Sequence, residues 1–144
     1  GWAAQASTGA YLEFTLHFIS HDDVTVRLTG EAGSNNEPGT QFSSNKEGLP
    51  QAMRMSFTCD NRTWVYNPNM GATASSAGSA TVFGLVQGGS SEAANMFSLV
   101  TDTDKPVIVR IWLEGTDPNC TNMVKGADYS VSMRFEGIEQ QESQ

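Results

Sequence analysis

Apolar residues recur at every second position in five separate stretches of this 144-residue sequence, and this alternation limits the fold more than any other feature. The stretches are 11–18, 23–30, 52–59, 106–114 and 128–136. A two-residue period places successive side chains on opposite faces of a β-strand, so each stretch predicts a strand with one face in a core. Such half-buried strands are typical of antiparallel sheets.

Three shorter apolar segments, at 63–66, 80–86 and 95–100, bring the total to about eight strands, which suits a sandwich. The sequence therefore predicts an all-β fold: an antiparallel, jelly-roll-like sandwich of two sheets with long polar loops. The loops are expected at 30–50 and 68–80, which are rich in polar or small residues. Asp60 and Asn61 lie between two strand-like runs and predict a hairpin turn. Helix signals are confined to one turn near Pro50 and a short segment after Ser90.

The length is that of one domain. We expect a single β-sandwich over 10–138, preceded by an N-terminal segment, 1–9, and followed by a polar tail, 139–144. No apolar run approaches the ~20 residues of a membrane span. The polar composition and the even cysteine count favour an extracellular setting. We therefore expect a secreted protein whose signal peptide has been removed and whose mature form does not insert into membranes.

The charge balance argues against one class of partner. Sixteen acidic residues face eight basic ones, for a formal net charge of −8, and no two basic residues are adjacent. Nucleic acid binding needs clustered Lys and Arg for the phosphates. We expect no nucleic-acid partner, and the same charge disfavours anionic membrane surfaces.

Catalytic motifs are weak. The two histidines are His17, on the polar face of the first strand, and His21, beside Asp22 and Asp23. A secreted hydrolase centred on His21 is one hypothesis, and a polar turn after a strand is the alternative. The sequence contains no Gly-x-Ser-x-Gly elbow and no His-Glu-x-x-His pair. We expect no catalytic residues and no enzyme.

The turn after the fourth long strand carries oxygen donors of the type calcium prefers, on Glu114, Asp117 and Asn119. Asp-Pro and Asn-rich turns also occur without an ion, because their side chains bond to their own backbone. We therefore expect no cofactor and no metal, with calcium at these three residues as the weaker hypothesis.

The two cysteines admit two interpretations. Cys59 falls on the apolar face of its strand, and Cys120 follows the Asp117–Pro118 corner. A Cys59–Cys120 disulfide would close a loop of about 60 residues and contribute roughly 4 kcal/mol in the chain-entropy view. We expect this disulfide, with two free thiols as the alternative.

Three aromatic residues, Trp64, Tyr66 and Trp112, could form a stacking surface for carbohydrate. Trp112 alternates onto the polar face of its strand, which favours exposure. The alternative is that these rings fill a second layer beneath the long loops. A monomeric carbohydrate- or cell-wall-binding module is therefore a rival hypothesis for function.

The order of several motifs carries a family resemblance. The motifs, in chain order, are "YLEFTLHFISHDDVTVRLT", "AMRMSFT", "TWVYNPN", "VRIWLEGTDPNCTN" and "YSVSMRF". Over residues 11–135 this order resembles the TasA/camelysin family, secreted biofilm-matrix fibre proteins processed by a dedicated signal peptidase. The resemblance implies a jelly-roll sandwich that polymerises with copies of itself into an extracellular filament.

In that family, an N-terminal segment of one subunit completes a sheet of the next subunit. The corresponding segment here is "GWAAQASTG", with Trp2 as its one large side chain. The resemblance makes it a candidate donor strand anchored by Trp2, and a frayed terminus is the alternative. Some members have been described as metalloproteases, but this sequence lacks residues that would support that chemistry.

Overall fold

A computed structural model describes residues 11–114 and 128–140 of the chain, and within them strands dominate. In chain order the strands are β1 (Tyr11–Phe18), β2 (Val24–Leu28), β3 (Gln41–Ser44), β4 (Met53–Cys59), β5 (Arg62–Tyr66), β6 (Ala74–Ala77), β7 (Ala80–Phe83), β8 (Asn95–Leu99), β9 (Lys105–Leu113), β10 (Tyr129–Ser132) and β11 (Phe135–Glu139). The predicted all-β sandwich is confirmed.

One layer is a six-stranded sheet in the order β1-β9-β4-β5-β7-β6. Its long central pair is β4 and β9, which run antiparallel with Met53 opposite Leu113 and Thr58 opposite Ile108. All pairs are antiparallel except β5 and β7, which are parallel. The parallel pair departs from the wholly antiparallel prediction. It arises because β6 lies between β5 and β7 in the chain and pairs on the outer side of β7.

The second layer consists of a three-stranded sheet, β11-β2-β8, and a two-stranded sheet, β10-β3. Two buried threonines connect these sheets. The Thr29 N–H donates to the Arg134 carbonyl at 3.0 Å, and the Thr40 N–H donates to the Thr29 carbonyl at 2.9 Å. The Thr40 hydroxyl also accepts from the Arg134 N–H at 2.9 Å. The two small sheets thus continue one into the other opposite the six-stranded sheet.

The structure differs from the predicted element map in three places. The 128–136 stretch divides into β10 and β11 at Met133 and Arg134, where the strand leaves β3 for β2. The predicted polar loop 30–50 contains β3, and the predicted loop 68–80 contains β6. Both strands lack a run of large apolar residues, so their sequences resemble loops.

The short elements follow their local sequence. Helix α1 (Leu49–Ala52) has a proline in its first turn, where the missing N–H costs nothing. A 3₁₀ turn at Glu92–Ala94 is capped by the Ser91 hydroxyl, which accepts from the Ala93 N–H at 3.2 Å. The β4–β5 hairpin turns at Asp60 and Asn61, both at positive φ, as the sequence predicts. No helix in the described part of the chain is long and apolar enough to cross a membrane.

The core lies between the two layers and is rich in aromatic rings. At one end Phe18, Phe57, Trp64, Phe97 and Phe135 meet, with centroid separations between 5.0 and 6.0 Å. At the other end Phe42 stacks on Tyr66 at 5.4 Å, and Tyr66 contacts Phe83 at 6.0 Å. Offset and edge-to-face pairs of this kind add to the free energy gained from burial.

Candidate functional site

The two sides of the sandwich are not closed to the same degree. On one side lie β1, the edge of the six-stranded sheet, and β10 with β11, each of which pairs with one strand among the described residues. We call this the open side. The other side is bordered by β8, the second edge of the three-stranded sheet, and by β6 and β7.

The inward faces of the open-side strands are only half-buried. This holds for the alternating apolar side chains of β1 and for those of β10, β11 and their junction. The residues are Leu12, Phe14, Leu16, Phe18, Tyr129, Val131, Met133 and Phe135. Phe18 contacts Phe135 with ring centroids 5.0 Å apart, so the two rows approach each other at that end.

The opposite edge provides an internal comparison. Met96, Phe97 and Leu99 on β8 are 8%, 3% and 4% exposed, although β8 is also an edge strand. Position at a sheet edge therefore does not by itself account for the half-burial of β1 and β10–β11. The core is closed beneath β8 and less closed at the open side.

The predicted aromatic surface is wrong, because the sheet separates its members. Trp64 and Tyr66 are 6% and 7% exposed and face the core, opposite Phe57 and Met55 on β4. Trp112 is half-buried on the other face of the same sheet, level with Arg54. Three rings that lie on two faces of one sheet cannot stack against one ligand.

Both histidines contact aspartates of one loop. The His17 Nδ1 lies 3.0 Å from the Asp104 Oδ2, and the His21 Nδ1 lies 2.9 Å from the Asp102 Oδ1. These contacts join the β1–β2 connection to the β8–β9 connection. His21 is 95% exposed, and the Ser20 hydroxyl accepts from the Asp22 N–H. Each of these contacts joins a histidine to a carboxylate, and neither brings a serine or cysteine nucleophile to the histidine, so they do not support the hydrolase hypothesis.

The structure describes one of the three residues of the calcium hypothesis. Glu114 is described, and its carboxylate lies 4.0 Å from the Arg54 Nε, whereas Asp117 and Asn119 lie outside the described residues. Across residues 11–114 and 128–140, no group of three or more His, Cys, Asp or Glu residues is arranged to hold a metal ion.

The predicted disulfide is not found. Cys59 has a free, buried thiol, and Cys120 lies outside the described residues. The register gives the distance that such a disulfide would have to span. Leu113, where β9 ends, pairs with Met53, so Cys59 lies six residues, about 20 Å, farther along β4. The chain after Leu113 would have to return along the sheet to bring Cys120 to Cys59.

Trp2 and the candidate donor segment 1–9 also lie outside the described residues. Comparison with protein-family models finds no match, and comparisons with curated proteins and with solved structures find none either. The resemblance to the TasA/camelysin family therefore stays a prediction from the sequence.

Proposed function

We propose that this protein is a structural subunit of an extracellular filament, in the manner of a biofilm-matrix fibre, and that identical subunits polymerise by strand addition. The observation that carries the proposal is the half-burial of the open side, set against the buried inward face of β8. An inserted strand would hydrogen-bond to an edge and bury the alternating apolar rows.

The dimensions of β1 suit such an insertion. β1 has eight residues, about 26 Å of strand, and it pairs with β9 along its whole length. Within residues 11–114 and 128–140, β1 pairs with β9 alone, so its other edge offers main-chain groups to an added strand. The segment 1–9 is of matching length, and Trp2 supplies one large side chain for the apolar row. A donor that leaves one subunit and enters the next makes a head-to-tail contact, which extends into a filament where the rotation does not close.

Negative-stain electron microscopy and sedimentation velocity of the purified protein test the proposal directly. We expect filaments and a broad distribution of large species. Deletion of residues 1–9 should return the protein to a monomer, and Trp2→Ala should raise the concentration needed for assembly. A protein that sediments only as a monomer at all concentrations up to the millimolar range would overturn the proposal.

Cross-linking between two different variants tests the place of insertion. In a Cys120→Ser background, Trp2→Cys protein is mixed with Leu16→Cys protein, so any disulfide between them joins two molecules. We expect linked dimers under mild oxidation. The matched control is Gln87→Cys, which is exposed on the connection after β7, a strand that β9, β4 and β5 separate from β1. Equal cross-linking to Leu16→Cys and Gln87→Cys would exclude insertion at β1.

A further inference from the structure

A groove of about 420 Å³ lies between β3, the end of β5 and the connection 84–88. Its β5 wall is separated from β1 by β9 and β4, whereas its β3 wall pairs with β10 of the open side, with Gln41 opposite Ser132. Its volume falls in the range of small-molecule sites.

The groove lacks charge. None of the residues lining it is Asp, Glu, Lys, Arg or His, although the chain as a whole has a net charge of −8. A charged ligand would lose its hydration there without gaining an ion pair. The lining therefore favours an uncharged ligand.

Tyr66 supplies the one aromatic hydroxyl of the groove. Its side chain lines the groove and is 7% exposed, with Phe42 stacked on the ring at 5.4 Å. Burial raises the pKa of the phenol, so the hydroxyl stays a neutral donor and acceptor. No described residue hydrogen-bonds to this hydroxyl. Its oxygen reaches solvent although the ring is buried, so it can bond to water or to a ligand in the groove.

Side-chain amides line the same groove. Gln41, Gln51 and Gln87 are exposed, and their amides make no hydrogen bond to a described residue. Asn69 donates from its Nδ2 to the Gln51 carbonyl at 2.9 Å, which leaves its Oδ1 available. Each amide presents a donor beside an acceptor, an arrangement that matches neighbouring hydroxyls on a sugar ring.

Apolar surface completes the wall. Val86 is 37% exposed, and Phe42, Leu85 and Pro68 are half-buried where they line the groove. Carbohydrate rings have apolar C–H faces together with hydroxyl edges. A site that combines apolar side chains with a few convergent polar groups fits that chemistry.

We propose that this groove binds an uncharged carbohydrate, one or two sugar residues of a neutral glycan, with the Tyr66 hydroxyl and the glutamine amides as its hydrogen-bonding groups. The proposal does not rest on filament formation. In a filament built by insertion at β1, which β9 and β4 separate from the β5 wall of the groove, the polymer could bind neutral polysaccharide along its length.

Chemical-shift titration tests the proposal. ¹⁵N-labelled protein is titrated to millimolar concentration with cellotetraose, maltotetraose and chitotetraose, and separately with trigalacturonic acid and a neutral Gln/Ser peptide. If the full chain polymerises, the variant that lacks residues 1–9 provides the monomeric sample. We expect at least one neutral oligosaccharide to shift the amides of 41–42, 50–51 and 84–88.

Matched tyrosine variants locate the binding. Tyr66→Phe removes only the hydroxyl and should weaken binding about three- to tenfold, the range for one neutral hydrogen bond. Gln87→Ala should weaken it to a similar degree. Tyr129→Phe is the control, because Tyr129 is a half-buried tyrosine at a different surface.

Three results would overturn the proposal: no shift with any neutral oligosaccharide, equal effects of Tyr66→Phe and Tyr129→Phe, or stronger binding of the acid or the peptide. The spectrum of each unliganded variant shows whether the fold is retained. Filament formation is scored separately, so failure of the carbohydrate site is distinguishable from failure of the filament proposal.

Discussion

Phe18 and Phe135 pack edge to face, with ring centroids 5.0 Å apart and an angle of 89° between the rings. Phe18 lies at the end of β1 and Phe135 at the start of β11, so the contact joins the two layers at the open side. Phe135 also meets Phe57, on the central strand β4, at 5.7 Å. One half-buried ring thus links an edge strand to the middle of the core.

Phe135→Ala should therefore reduce the free energy of unfolding by about 2–4 kcal/mol, less on average than the loss of a fully buried ring. Urea denaturation of the monomeric protein measures the change. Val100→Ala is the control, because Val100 is 63% exposed and its truncation should cost less than about 0.5 kcal/mol. Equal effects of the two substitutions would mean that the aromatic cluster does not stabilise the open side.

Trp64 should behave as a core residue. Its ring lies 6.0 Å from Phe97, and the guanidinium of the exposed Arg62 lies 5.5 Å from the ring centroid. Trp64→Ala should cost about 3–5 kcal/mol of stability, and Trp112→Ala distinctly less, because Trp112 is half-buried. Similar losses at both positions, measured by urea denaturation, would contradict this assignment of faces.

The sequence predicted the long strands because each has four or more alternating apolar residues. It could not assign the faces of "TWVY", because Trp64, Val65 and Tyr66 are apolar on both faces. The pairing of Trp64 with Phe57 and of Tyr66 with Met55 shows which face of β5 lies in the core. Such pairing depends on the tertiary structure and not on the local sequence. The parallel pairing of β5 with β7 could not be predicted for the same reason.

The carbohydrate groove was also beyond local sequence patterns. Its walls come from three chain regions, 40–42, 50–51 with 66–69, and 85–88, none of which carries a binding motif. In the sequence, Tyr66 was predicted to belong to an aromatic surface. Topology places it beside Phe42 and the glutamines, whereas the sequence suggested the two tryptophans.

Gly84 should not tolerate a side chain. A Cβ built at Gly84 would lie 2.0 Å from the Gly71 carbonyl oxygen, and the Gly84 N–H donates to the Thr73 carbonyl at 3.0 Å. Gly84→Ala should therefore force the backbones apart and cost about 1–3 kcal/mol or more. Gly137→Ala is the control, because its closest contact is a Val24 side-chain carbon at 3.3 Å, which can shift. Thermal denaturation of both variants compares them.

Cys59 should be a free thiol that reacts only slowly in the native state. Burial and the nearby Asp60 raise the pKa of the Cys59 thiol, which disfavours the reactive thiolate. Thiol titration of unreduced protein in denaturant should find two reactive groups. In native protein, Cys59 should react more slowly than in denaturant, and a Cys120→Ser variant isolates its signal. If denatured, unreduced protein contains no reactive thiol, the disulfide predicted from sequence exists after all.

Asp23 should make stability depend on pH in the acid range. Its Oδ1 accepts from both the Thr101 N–H and the Thr101 hydroxyl, each at 2.8 Å, and these bonds lower the pKa of the Asp23 carboxyl. A lowered folded-state pKa contributes stability that is present above the ordinary value of 3.8 and is lost as the pH falls through the folded-state value.

Asp23→Asn keeps an acceptor oxygen and removes the charge, so it should be less stable than the wild type at pH 7 and comparable to it at pH values below both pKa values. Urea midpoints at several pH values measure this convergence. Asp22→Asn is the control, since the Asp22 carboxylate makes no such bonds with Thr101. In this variant, stability should still fall at acid pH as it does in the wild type. A stability difference for Asp23→Asn that stays constant with pH would show that the carboxylate charge does not strengthen the link to Thr101.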